Sequence, residues 1–338
     1  MRQILTILWD SYRLLTAKKL FWVVLALTMI IAGAYASVGF TPDGISLFFG
    51  AYHIDSDFIV EGSLMAEYLY MLIFVDYLVP YWLGFMALVL ALISVCPIFP
   101  DFLKSGSIDV AVSKPVNRVT LFLVKYLGSL LFVAIQVFVF CVVVFIAQGL
   151  RLGTWNWNIF LAVLLLTFVF SLIYCVAVLT AVWTRSTLFS LLMALLLWGL
   201  TLGLQWAEMF FYHEAYTKPA IGMQVDFETA EVTYSDEPGE PNEGMVKVHR
   251  VIKGICTPLP KTREATYMLK KKISVQGKNM TRMSEFMEAS ADEFERRQAE
   301  AQEAYENRHS DFYVIGTSMA FQVVVLGLAC FIFARKDF

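Results

Sequence analysis

Apolar runs of membrane-spanning length recur along the chain, separated by polar stretches. The runs Leu20–Phe40, Tyr81–Phe99, Val119–Gln148, Ile159–Trp183, Leu188–Trp206 and Phe312–Phe333 each match what a hydrocarbon core about 30 Å thick requires of a helix. A shorter run, Leu64–Val75, is interrupted by Glu67; it either extends the second span or re-enters the membrane. Ahead of the first span, Leu5, Leu8, Tyr12 and Leu15 recur at helical spacing, with Arg2, Asp10, Arg13, Lys18 and Lys19 mostly elsewhere. That pattern predicts an amphipathic helix over residues 1–19, lying in the headgroup layer or packed on protein. Tyr77, Tyr81 and Trp82 before the second span, and Trp155 and Trp157 before the fourth, are placed as interfacial anchors.

Composition agrees with the pattern. The 338 residues are 58% hydrophobic and only 16% charged, against about 25% charged in soluble domains. The expected fold is an all-α polytopic membrane protein of about six transmembrane helices, with a mixed α/β insertion between the last two. Ala34-Tyr35-Ala36 resembles a signal-peptidase site, but the segment before the apolar stretch is as long as a whole signal peptide, so an uncleaved first span is expected. Residues 20–206 then hold spans one to five, and residues 312–338 the last span and tail.

Charge placement orients the chain. Residues 37–79 carry Asp43, Asp55, Asp57, Glu61, Glu67 and Asp76 and no lysine or arginine. Basic residues sit before the first span, between the second and third (Lys104, Lys114, Arg118), between the fourth and fifth (Arg185) and after the last (Arg335, Lys336). All fall on one face, which the positive-inside rule makes cytoplasmic; Arg151 is the exception. The expectation is a plasma (inner) membrane protein with both termini cytoplasmic and residues 207–311 outside. Within that insertion, Val225–Tyr234 and Met245–Ile255 alternate like strands about an Asp236-Glu237-Pro238-Gly239 turn. Residues 281–308 read as a helix with Met283, Phe286, Met287 and Phe294 on one face.

The chemistry that is missing narrows the classes. There is no Gly-x-x-x-x-Gly-Lys-Ser/Thr loop, no His-Glu-x-x-His and no Gly-x-Ser-x-Gly, so the chain is expected not to be an enzyme and to hold no cofactor. Cys96, Cys141, Cys175 and Cys330 lie in or beside apolar runs and Cys256 stands alone in a polar region, which excludes a thiolate zinc pair. His53 with Asp55 and Asp57, or His213 with Glu214, match no metal-ligand spacing. A net charge of −3 gives no reason to expect nucleic acid. Spans nearly free of ionisable groups, with Asp76 and Lys125 near boundaries and only neutral Gln136 and Gln322 within, argue against a proton- or sodium-driven transporter.

The connector of residues 100–118 is the most informative segment. It displays Phe102, Leu103, Ile108, Val110 and Val112 among charges, as a partner-docking knob does or as an ordinary turn resting on the membrane does. Ser107 is placed to cap a short helix, which Pro115 would end. Ser113-Lys114-Pro115-Val116-Asn117-Arg118 followed by Phe122-Leu123-Val124-Lys125-Tyr126-Leu127-Gly128 resembles the cytoplasmic loop of type-2 ATP-binding-cassette (ABC) exporter permeases. The six-span layout, the N-terminal helix and the closing Ala334-Arg335-Lys336-Asp337-Phe338 are similar to that family as well.

The resemblance covers the membrane portion and implies a permease, as a homodimer, through which a separate ABC ATPase subunit, holding ATP and magnesium, drives export. Phe102, Leu103, Ile108 and Val110 would then be the apolar ATPase contacts, and Lys104, Asp109, Lys114 and Arg118 would orient the loop, with Pro115 shaping its turn. Membrane lipid and an external protein are the other expected partners. The insertion departs from smaller family members; gating, receiving cargo and recruiting a protein stay open for it. The alternative is a non-transporting membrane anchor or sensor whose external domain binds a periplasmic or extracellular partner.

Overall fold

The computed structural model describes residues 19–104, 117–218, 223–225, 232–234, 242–274 and 293–336, together with Arg13 and Thr16. The amphipathic pattern of residues 1–19 and the apolar face of Met283, Phe286 and Met287 lie outside the described residues, and the Phe294 side chain is likewise not described. Among the described residues six helices are long and apolar enough to cross a membrane. They are α1 (Lys19–Ala36), α2 (Leu64–Phe102), α3 (Arg118–Leu152), α4 (Trp157–Thr184), α5 (Thr187–Thr217) and, last in the chain, α9 (Asp311–Arg335). Large apolar side chains such as Trp22, Ile30, Leu127, Leu164, Leu196 and Val324 are exposed on them. Apolar faces on helices of this length suit a lipid surrounding.

The chain divides into two compact units: Met1–Leu195 with Ala265–Met283 and Gln322–Phe338, and Leu196–Glu264 with Ser284–Phe321. In the first unit the core is aromatic. Tyr70, Phe74, Phe99, Phe122, Phe140, Phe170, Tyr174 and Phe333 are fully buried, and Phe122 packs edge-on against Phe99 and tilted against Phe333 at ring distances of 5.3 and 5.6 Å.

The helices of this unit run in alternating directions, because their ends meet in two separate groups. At one group, the Cys96 thiol of α2 lies 3.4 Å from Ser190 Oγ of α5, and Arg118 at the start of α3 donates to the Ala334 and Lys336 carbonyls. At the other, Arg151 near the end of α3 donates to the Ala36 carbonyl of α1 at 3.4 Å, and the Phe40 ring sits 6.0 Å from that of Tyr70 in α2.

Leu64–Val75 extends the second span rather than re-entering. Ser63 caps the start by accepting from the Ala66 N–H at 3.1 Å. Residues Ile73–Met86 widen into a π-helix that contains Pro80. Proline lacks an N–H and collides with the carbonyl four residues earlier, and widening the turn absorbs that misfit without ending the helix.

Between α1 and α2 the chain forms a sheet that the apolar pattern alone does not reveal: β1 (Gly39–Thr41), β2 (Gly44–Leu47) and β3 (Tyr52–Asp55), antiparallel in the order β1-β2-β3. The first span therefore stops at Ala36 and not at Phe40. Gly44 adopts φ +145°, and a Cβ there would run into the Ile54 carbonyl. Phe48 and Phe49 hold left-handed φ of 50° and 58°, which side-chain-bearing residues rarely adopt; the Arg151 guanidinium lies 5.9 Å from the Phe49 ring and helps to hold it.

The insertion contains β4 (Met223–Val225) paired antiparallel with β5 (Val232–Tyr234), then α6 (Glu243–Cys256), α7 (Thr262–Ser274) and α8 (Glu293–Glu306). The strand expected over Met245–Ile255 is thus corrected to helix. Asn242 accepts from the Gly244 and Met245 N–H groups as an N-cap. The buried positions His249 and Cys256 are seven residues apart, two helical turns and one face.

The C-terminal end of α7 is tied to the α3–α4 turn. Asn156, 5% exposed, donates its amide to the Ile273 carbonyl at 3.1 Å while accepting from Asn158 N–H at 3.0 Å. Asn158 donates to the Lys272 carbonyl at 2.7 Å, and Lys270 pairs with Asp76 of α2. Replacing Asn156 with alanine strips one buried and one half-buried hydrogen bond and should cost about 1–3 kcal/mol. Hydrogen exchange on N156A should show faster exchange over residues 270–274 and unchanged protection in α3.

Candidate functional site

Two places carry chemistry: the stems of the predicted coupling connector in the first unit, and a buried charge cluster in the second that sequence reasoning missed.

Ile98–Phe102 forms the last helical turn of α2, and Lys104 pairs with Asp101 at 2.8 Å in solvent. Phe102 and Leu103 are buried, 8% and 2% exposed. The Phe102 ring lies 6.2 Å from Phe333, with the Lys125 ammonium 5.6 Å from its centre. On the far side of the connector Asn117 caps α3 by accepting from Val119 N–H. Arg118 then donates to the carbonyls of Ala334 at 3.4 Å and Lys336 at 3.1 Å. The Lys336 ammonium donates to the carbonyls of Val182 and Trp183 at 2.8 and 3.1 Å. Cations on the orphan carbonyls at helix C-termini are favourable for both hydrogen bonding and the helix dipole. Of the predicted contact residues, the structure brings Phe102, Leu103 and Arg118 onto the helix bundle and leaves Lys104 exposed. Ile108, Asp109, Val110, Lys114 and Pro115 lie outside the described residues.

Behind the stems, Tyr126 from the Lys-Tyr-Leu-Gly run donates to the Ser171 carbonyl at 2.9 Å and accepts from the Gln322 amide at 3.1 Å. Ser171 Oγ closes the loop on Gln322 Oε1 at 3.2 Å. Gln136, also read as a neutral span residue, is 5% exposed, and its amide nitrogen has no partner among the described residues.

In the second unit the centre is Glu208 on α5, 4% exposed. One oxygen accepts from His249 Nε2 at 2.9 Å; the other accepts from Arg308 Nη2 at 2.6 Å and from the Tyr305 hydroxyl at 3.3 Å. Arg308 Nη2 also approaches Glu264 at 3.5 Å, and His309 Nδ1 donates to Glu264 at 3.2 Å. The guanidinium carbon sits 3.9 Å from the Tyr305 ring centre, a stacked arrangement that lysine could not reproduce.

Burial alone would raise the Glu264 carboxyl, but the hydrogen bond from His309 and the charges of His309, Lys261 and Arg308 outweigh it and hold it below its ordinary value. Burial works against the Arg308 charge too, and Tyr305, Glu208 and Glu264 more than offset it. The Tyr305 phenol is pushed up to about 12, chiefly by burial.

The apolar run past Trp206 held the signal for this site. Met209-Phe210-Phe211-Tyr212 continues beyond Glu208, so the carboxylate lies inside an apolar helix, where ionisable groups mark function or a paired partner. Its partners are 41 to 100 residues away in sequence, which no local pattern encodes. Among the described residues no group of three or more histidine, cysteine, aspartate or glutamate side chains is placed to hold a metal ion. Comparison with profiles of protein families, with curated proteins and with solved structures finds no match. The class that the fold itself defines is a helical polytopic membrane protein.

Removing one member of a buried pair strands the other. E208Q should cost about 3–5 kcal/mol in SDS-titrated unfolding, and E208Q/R308M should recover part of the loss. A depressed carboxyl contributes stability above its unfolded value that is lost as pH falls through the folded one. Thermal unfolding should therefore hold steady from neutral pH down to the ordinary carboxylate range and drop below it, with a shallower drop in E264Q.

Proposed function

We propose that this chain is the membrane-spanning permease subunit of an ABC transporter, working as an exporter and homodimer with a separate ATPase. The basic residues Lys19, Lys104, Arg118, Arg185, Arg335 and Lys336 border helix ends of one group, which the positive-inside rule turns to the cytoplasm. Residues 207–311 are then external.

The observation that carries this reading is how the connector is rooted. Its stems are clamped on neighbouring helix ends through Phe102 on Phe333, Arg118 on the Ala334 and Lys336 carbonyls, and Lys336 on the Val182 and Trp183 carbonyls. A load on residues 105–116 would reach α2, α3, α4 and α9 together, which is what a rigid coupling element requires. ATP and magnesium act in the partner: nucleotide-driven closure of two ATPases would pull the paired connectors and tilt the spans. With Phe102 and Leu103 buried, apolar docking falls to Ile108 and Val110, and polar orientation to Lys104, Asp109 and Lys114.

The anchor or sensor reading draws support from the charge cluster of the second unit, which joins α5, α6, α7 and the segment after α8. An ATPase that co-purifies with the chain separates the two. Reversing Arg118 would also break the carbonyl clamp, so D109K/K114E is the cleaner variant. It should lose ATPase co-purification and stimulated hydrolysis while keeping the wild-type elution volume in detergent. Intact stimulation in this variant would remove the support for the coupling role.

A further inference from the structure

Beside the Glu208–Arg308 pair lies a cavity of about 20 Å³, bordered among others by Lys253, Lys261, Glu264, Arg308, His309 and Tyr313. A space of this size has room for at least one water-sized particle. Its walls are not balanced. Lys261 is 5% exposed, and its ammonium makes no hydrogen bond or ion pair to a described residue; the Tyr313 ring lies 5.2 Å away, and Glu264 is near enough to feel its charge. Arg308 Nη1 is buried without a hydrogen-bond partner among the described residues.

The two carboxylates at the cavity are already engaged. Glu208 accepts from His249, Tyr305 and Arg308 Nη2, and Glu264 accepts from His309. One further contribution has the same sign: Lys253 adds a third, exposed cation at the rim. A buried Arg308 donor without a partner among the described residues, beside a Lys261 ammonium with no hydrogen bond there, calls for an anionic acceptor, because an unpaired buried donor is costly.

We propose that this cavity binds one small monovalent anion, held by the Lys261 ammonium and Arg308 Nη1. The bound ion joins the loop after α6 to the segment between α8 and α9, and so stabilises the second unit. The assignment is independent of the transport reading.

The test uses the full-length chain in a non-ionic detergent, with chloride titrated against gluconate at constant ionic strength. Chloride and bromide should raise the thermal midpoint saturably and gluconate should not. K261M and K261Q should weaken the apparent chloride affinity by about tenfold or more, the change expected on losing one charge-assisted hydrogen bond. On the wild-type chain, the chloride-35 NMR line should broaden and sharpen again when bromide competes. Equal midpoints in chloride and gluconate, with an unbroadened line, would mean that the cavity holds water only and would overturn the assignment. A lysine variant that folds and keeps the full chloride response would overturn it too. If neither variant folds, the line-width competition decides.

Discussion

A hydrocarbon solvent offers backbone and side-chain polar groups no water, so each must find a partner within the protein. This constraint explains why the long apolar runs are continuous helices and why even Pro80 widens its helix instead of breaking it. It also explains the behaviour of the small polar residues in the spans. Thr28, Ser94, Ser129, Thr180 and Thr317 each return their hydroxyl to a carbonyl four residues back, which satisfies the donor locally. Where a helix ends, the last carbonyls lose that local solution and side chains from other helices supply it: Arg118 and Lys336 at one group of ends, Asn156 and Asn158 at the other. The contacts that join the helices of the first unit are in good part the answers to this shortage.

That origin also decides which polar contacts transmit force. A hydroxyl bonded only within its own helix couples it to no other, whereas Ser129 also accepts from Tyr174 of α4. A guanidinium on the carbonyls of a different helix end makes two elements move as one, and it does so beside the 105–116 segment. The coupling proposal therefore rests on the anchoring of the stems more than on the composition of the connector.

The spans were legible in the sequence because a 20-residue apolar run has few other physical meanings, and the π-widened Leu64–Phe102 helix was half-visible as an apolar run broken by Glu67. The β1–β3 sheet was not, since strands of three or four residues leave little periodicity and Gly39-Phe40 still read as apolar span. Met245–Ile255 misled for a related reason. Alternation of Val246, Val248 and Ile252 with polar neighbours fits a strand, whereas the face that is buried in fact is marked by His249 and Cys256, neither of which an apolar pattern weights. The burial of Phe102 was not legible, because it depends on Phe333, more than 200 residues away.

The same accounting separates the two polar assemblies in the structure. Around Gln322 the donors and acceptors of Tyr126, Ser171 and the glutamine amide close on one another, and a closed ring of neutral groups does no more than fix how α3, α4 and α9 pack. Around Glu208 the count does not close. Two carboxylates meet Arg308 and two histidines, Lys261 and Lys253 border the same cavity, and Arg308 Nη1 has no hydrogen-bond partner among the described residues. A buried ion pair is weak evidence for stability, since apolar replacements of similar volume often do as well, so stability alone gives little reason to bury so many charges in one place. An assembly that leaves a cationic donor beside a cavity has room for a reason of another kind, the proposed anion, which would complete it. The imbalance of donors over acceptors, more than the presence of charge, is what marks this cluster as a site.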